Sequence, residues 1–115
     1  MSPNTCYTLS DAQIKSYHDD GFNVVEELFS PAEVESLRAA ESSPEIQTLL
    51  AESGIKHKTV HLLELTCRHP TFHALASDPR ITSCLKSLLG PDVQLQHSKL
   101  ATKSVTKGTG AFGWH

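Results

Sequence analysis

The residues in this chain best suited to chemistry are its histidines and two lysines near one of them. His115 follows Trp114 and a run holding Gly108, Gly110 and Gly113, glycines that let a loop turn closely before an aromatic ring and an imidazole. A neutral imidazole is a common metal ligand. Residues i and i+2 of a strand point the same way, so a histidine and a carboxylate two positions apart can serve one metal. Upstream, His97 and Lys99 fall on one face of a candidate strand, with Lys103 beyond it. Lysines at such positions equally well serve as edge charges that discourage strand addition. His57 and His61 are four apart, as are His69 and His73, with Cys67 between the pairs. On a helix that spacing would offer two imidazoles to zinc. However, Pro70 interrupts the second pair and no CxxC accompanies either, so surface histidines of a helical layer are the plainer account.

The elements that must position these groups are marked by helix start and stop signals. Ser10 with Gln13 makes a capping box, so a helix should begin at Asp11, bury Ile14 and Tyr17 with His18 at the edge, and close at Gly21. Phe22 to Phe29 is rich in β-formers, with Phe22, Val24, Glu26 and Leu28 interleaved with Asn23, Val25, Glu27 and Phe29, and reads as a short half-buried edge strand. Ser30, Pro31 and Glu33 start a second helix, with Val34, Leu37 and Ala40 on its stripe. Pro44 starts a third that buries Ile46, Leu49 and Leu50 and stops at Gly54. Val60, Leu62 and Leu63 suit a strand or an extended connection. A short helix should begin at Pro70. Asp78-Pro79 caps a longer one that turns Ile81, Cys84, Leu85 and Leu88 toward a core and ends at Gly90-Pro91. A strand should then run from Val93 to Thr102, with His97, Lys99 and Ala101 on one face and Ser98 and Leu100 on the other.

Composition sets the class. The chain has 115 residues, 38% apolar and 20% charged, ordinary for one soluble globular domain. A net charge of −3 without a block of like charge gives no footprint for nucleic acid. Three cysteines, Cys6, Cys67 and Cys84, fit a reducing compartment better than a disulfide framework. Met1 to Tyr7 shows neither the basic n-region nor the apolar h-region expected of a secretory leader, and no apolar run approaches the ~20 residues needed to span a bilayer. The expected setting is the cytoplasm, the peroxisome being the alternative, with neither nucleic acid nor membrane as a partner.

The ordered set of motifs resembles the phytanoyl-CoA dioxygenase family, non-haem iron oxygenases that use 2-oxoglutarate. The likeness runs from about Leu9 to the end. It is carried by Gln13, Asp20-Gly21-Phe22 and Val24-Val25, then by Leu28-Phe29-Ser30 with Glu33 to Leu37. Asp78-Pro79-Arg80-Ile81 and Leu88-Leu89-Gly90-Pro91 follow, and last Gln96-His97-Ser98-Lys99-Leu100, Lys103 and Trp114-His115. The resemblance implies an α+β fold, with residues 9–115 as the N-terminal part of the domain: a helical layer plus the first strands of a double-stranded β-helix, or jelly roll, incomplete in this chain, after a disordered N-terminus at residues 1–8. It implies Fe(II) and 2-oxoglutarate as cofactors and a small-molecule substrate. His115 matches the first iron-ligand histidine. The partner aspartate two positions on, the second histidine and the arginine that pairs with 2-oxoglutarate would all lie past His115. His97 and Lys99 match a strand that contributes polar side chains to the 2-oxoglutarate or substrate pocket; some relatives have glutamine at the position of His97 and asparagine at that of Ala101.

The function so implied is a 2-oxoglutarate-dependent hydroxylase, this chain being a truncated portion, inactive and poorly stable alone. The competing account is a small helical module that binds another protein without catalysis, and a third is a zinc module built on the middle histidines. The substrate and the oligomeric state are not encoded in these motifs.

Overall fold

The structure, a computed structural model, describes residues 6–54 and 60–102. The helix starts are where local chemistry puts them. In α1 (Asp11–Asp20) the Gln13 N–H donates to Ser10 Oγ at 3.2 Å and the Ser10 N–H donates to Gln13 Oε1 at 2.8 Å. These bonds satisfy two donors that the first turn leaves without intrahelical partners. Gly21 closes the helix with φ +85°, a conformation glycine adopts without a Cβ penalty. The same box recurs in α2 (Pro31–Glu41), between Ser30 and Glu33, with Pro31 at the first helical position. Next come α3 (Pro44–Gly54), β1 (Val60–Leu63), a 3-10 turn (Leu65–Cys67), α4 (Pro70–Ala76), α5 (Pro79–Leu89) and β2 (Lys99–Thr102). Asp78 caps α5 through Oδ1, which accepts from the Arg80 N–H at 2.9 Å. At α4 the cap is His69, whose Nδ1 accepts from the Thr71 N–H at 3.2 Å. That bond requires Nδ1 to be unprotonated.

β1 and β2 pair antiparallel, with His61 opposite Ala101, Leu62 opposite Leu100 and Leu63 opposite Lys99. Leu62 is buried and packs with Ala40 of α2, Ile46 of α3 and Phe72 of α4; Leu37, Leu49, Leu50, Leu65 and Leu100 close around them. The sheet therefore lies with one face on the helices. Ile46, with no exposed surface, is the centre of this cluster. Truncating Ile46→Ala removes its transfer energy and leaves a cavity. The expected loss is ~2–5 kcal/mol in a urea melt, and a loss under about 1 kcal/mol would mean the site collapses freely.

Two strand expectations change. Phe22 to Phe29 is in no ladder: the chain turns at Glu26 and Glu27, where Glu27 has φ +54°. Phe22 and Val24 stand 64% and 68% exposed. Local bonds to helices take the place of a strand partner here, the Asn23 Nδ2 donating to the Gln13 carbonyl and the Leu28 carbonyl accepting from Arg80. The second strand is shorter than the span from Val93 to Thr102, because its partner ends at Leu63. At the next residue, Glu64, φ is +56°, which takes the chain out of the ladder. Otherwise the architecture is α+β, five helices with a two-stranded antiparallel sheet among the described residues.

Candidate functional site

The face of the sheet away from the helices holds the residues of chemical interest. Alternation along β1 puts Leu62 against the core and His61 and Leu63 on the opposite side, with Leu63 56% exposed. Along β2, Leu100 and Thr102 turn inward while Lys99 and Ala101 are exposed. The open face thus reads His61 and Leu63 on one strand, Ala101 and Lys99 on the other. His97 is exposed in the extended stretch before β2. Ser98, between His97 and Lys99, holds this stretch in place. Its carbonyl accepts from the Glu64 N–H at 2.8 Å, its Oγ accepts from the Thr66 N–H at 3.1 Å, and its Oγ lies 3.1 Å from Thr66 Oγ1. A segment clamped on its Ser98 side presents its alternate residues, His97 and Lys99, away from the turn.

His115, with Trp114, Lys103 and the glycine run, lies outside the described residues, and so does His57. Among the described residues the middle histidines form no metal-holding cluster: His69 is spent on capping α4, its ring edge-on to Phe72 at 6.0 Å between centroids, and His73 is exposed on α4. Among the described residues no group of three or more His, Cys, Asp or Glu could hold a metal ion. The described part of the chain therefore does not fit an iron centre on its own. Cys6, Cys67 and Cys84 are free thiols, the first two exposed; burial raises the pKa of the Cys84 thiol and keeps it protonated.

The strongest electrostatic feature is one that helix patterning did not bring out. Arg80, 3% exposed, lies where α5 begins and joins it to the start of α2. Its Nε and Nη2 grip Asp78 at 2.9 and 2.7 Å, and its Nη1 reaches Glu33 Oε1 at 2.9 Å and the Leu28 carbonyl at 3.2 Å. The guanidinium also sits over the Phe29 ring, 4.4 Å from its centroid. Hydrogen bonding to Arg80, helped by the Ser30 N–H, holds the Glu33 carboxyl down at about 2. The Arg80 guanidinium likewise lowers Asp78, while the two carboxylates raise Arg80. The sequence carried half of this signal: an N-cap aspartate two residues before an arginine can form the local fork. The Glu33 half joins residues 47 positions apart and has no local signature. This cluster has the bonding of a structural clamp, with every guanidinium nitrogen engaged, and offers no free group for catalysis.

A family model described as phytanoyl-CoA dioxygenase matches residues 17–115. Among curated proteins, the chain is similar to an ectoine dioxygenase of Bordetella parapertussis, 29% identical over 118 residues that make up 93% of this chain and 36% of that protein. It is similar to those of Nocardia farcinica, 27% identical over 126 residues, 100% of this chain and 40% of that one, and of Sphingopyxis alaskensis, 28% identical over 114 residues, 93% and 37%. The chain thus spans well under half the length of these relatives. No solved structure matches it significantly.

Proposed function

The chain belongs to the phytanoyl-CoA dioxygenase family, and from that premise we propose that it is the front of an Fe(II)- and 2-oxoglutarate-dependent hydroxylase, with His115 as the first iron ligand. Iron and 2-oxoglutarate supply the oxidising chemistry in such an enzyme: 2-oxoglutarate and O2 give succinate and CO2, and the substrate gains a hydroxyl. The observation that carries the reading is the family match over residues 17–115. The asymmetric sheet supports it. One face is sealed by α2, α3 and α4 and the other, bearing His61, Lys99 and Ala101, is open, as the first strands of a jelly roll with helices on its outer side would be. The task of the described residues is then to wall the pocket, with Lys99 and His97 offering polar groups to 2-oxoglutarate or substrate. Given the names of its relatives, ectoine is the first substrate to try.

The deciding measurement uses the full-length protein supplied with Fe(II), O2, 2-oxoglutarate and ectoine. Succinate formation that a chelator stops, matched by hydroxylated product, is the expected result. Succinate without hydroxylated ectoine would replace the substrate and keep the class. No iron-dependent succinate with ectoine or a panel of small amino-acid derivatives and acyl-CoA esters would remove the oxygenase reading.

A further inference from the structure

We propose that Thr66 is a positioning residue: through its N–H and its hydroxyl it holds Ser98, and thereby fixes the direction in which His97 and Lys99 leave the chain. The inference rests on the proposed function only where that gives His97 and Lys99 a task in the pocket. β2 loses its partner strand just here. Leu63 and Lys99 form the last pair of the ladder, and Glu64 turns away with φ +56°. The residues before Lys99 therefore have no neighbouring strand to set their direction, and His97 lies among them. Three contacts at Ser98 take over that task. The Glu64 N–H donates to its carbonyl at 2.8 Å, while the Thr66 N–H and the Thr66 hydroxyl each meet its Oγ at 3.1 Å. Thr66 and Ser98 are 32 residues apart and both half-buried, where water competes less for their hydroxyls. Thr66 can hold Ser98 because its own turn is fixed. Leu65 packs against the Ile46 cluster, the Cys67 N–H donates to the Glu64 carbonyl at 2.9 Å, and the Arg68 N–H donates to the Leu65 carbonyl at 3.0 Å. The carbonyl bond alone would tether Ser98 and still let the segment roll about it. A side-chain hydroxyl held from the same side removes that roll. With Ser98 turned toward Thr66, alternation sends its two neighbours the other way, and His97 and Lys99 are both exposed.

Three variants of the full-length protein separate aiming from plain stabilisation. Thr66→Val keeps the bulk and the backbone N–H and deletes only the hydroxyl, Thr66→Ser keeps the hydroxyl and loses a methyl, and Ser98→Ala removes the acceptor of two contacts. Backbone NMR relaxation of the iron-free protein reads the order of His97 and Lys99. Succinate formation by the iron-loaded protein reads KM and kcat for 2-oxoglutarate and for ectoine. Thr66→Val should loosen both residues and raise at least one of the two KM values about threefold to tenfold, the share of one neutral hydrogen bond, with kcat held within about twofold. Ser98→Ala should do more. Thr66→Ser should keep the parental order and KM even though the lost methyl lowers the melting temperature, so that KM follows the hydroxyl and stability follows the bulk. KM values unmoved in both Thr66→Val and Ser98→Ala, a KM that merely tracks the melting temperature across the series, or parental order at His97 and Lys99 in all three variants would each overturn the proposal. A segment that loosens in Thr66→Val, in a protein that forms no succinate with any substrate, would instead sink the oxygenase reading and leave the positioning role of Thr66 standing.

Discussion

Substituting His115 with alanine in the full-length protein is expected to abolish iron-dependent conversion of 2-oxoglutarate to succinate. The reason is ligand arithmetic. A facial site of two histidines and one carboxylate leaves positions open for oxygen and 2-oxoglutarate, and removing one of only three protein ligands costs both affinity and geometry. His115→Ala should therefore lower bound iron as well as turnover, which separates a lost ligand from a lost substrate contact. His115→Gln, sterically close but a poorer ligand, should fall in between on metal content and remain essentially inactive. Unchanged iron content and unchanged succinate in His115→Ala would take this residue out of the metal site. Among the described residues no group of three or more His, Cys, Asp or Glu offers an alternative metal site.

The second large effect is on folding. Replacing Arg80 with alanine should lower the melting temperature by at least about 10 °C, because deletion leaves two carboxylates without their common cation and a void over Phe29. Lysine is a poor replacement: it restores charge, but neither the two-pronged grip on Asp78 nor the flat stack on the ring. The clamp also predicts how stability responds to acid. The Glu33 carboxyl sits at about 2 in the folded protein against an ordinary 4.5, and Asp78 is shifted in the same direction. A carboxylate with a depressed folded-state pKa stabilises the fold fully above its unfolded pKa. That contribution fades as pH falls from about 4.5 toward 2. Urea midpoints should decline across this window in the parent protein and decline less in Arg80→Ala, whose carboxylates have lost the largest cause of their shift. Parallel acid profiles in the two proteins would mean that other groups govern the acid response.

The helices were legible because their starts are written in adjacent residues. Ser10 with Gln13, Ser30 with Pro31 and Glu33, and Asp78 with Pro79 each satisfy their own first turns without help from elsewhere. Strands carry no such local proof. Phe22 to Phe29 is rich in β-formers yet finds no partner, whereas the weaker signal at Val60–Leu63 becomes a strand because Lys99–Thr102 lies alongside. The site divides the same way. The face shared by Lys99 and Ala101 follows from a period of two, but the identity of the residue opposite, His61, depends on register across the ladder. The burial of Arg80 depends on Glu33 and Phe29 in a distant helix start, and periodicity gave the core face of α5 to Ile81, Cys84, Leu85 and Leu88. Those four are only partly covered, and Leu85 is 38% exposed.

Glu33 belongs to two structures at once, and this limits which side chains can replace it. At the first helix, the third position can alternate between glutamine and glutamate with little consequence, since either amide or carboxylate oxygen can accept from the Ser10 N–H. At the second helix the same exchange would preserve the helix start and still discharge the partner of a sequestered guanidinium. Two positions that look interchangeable in any tally of capping motifs thus tolerate different side chains on physical grounds, and the stricter one is set by an arginine 47 residues away.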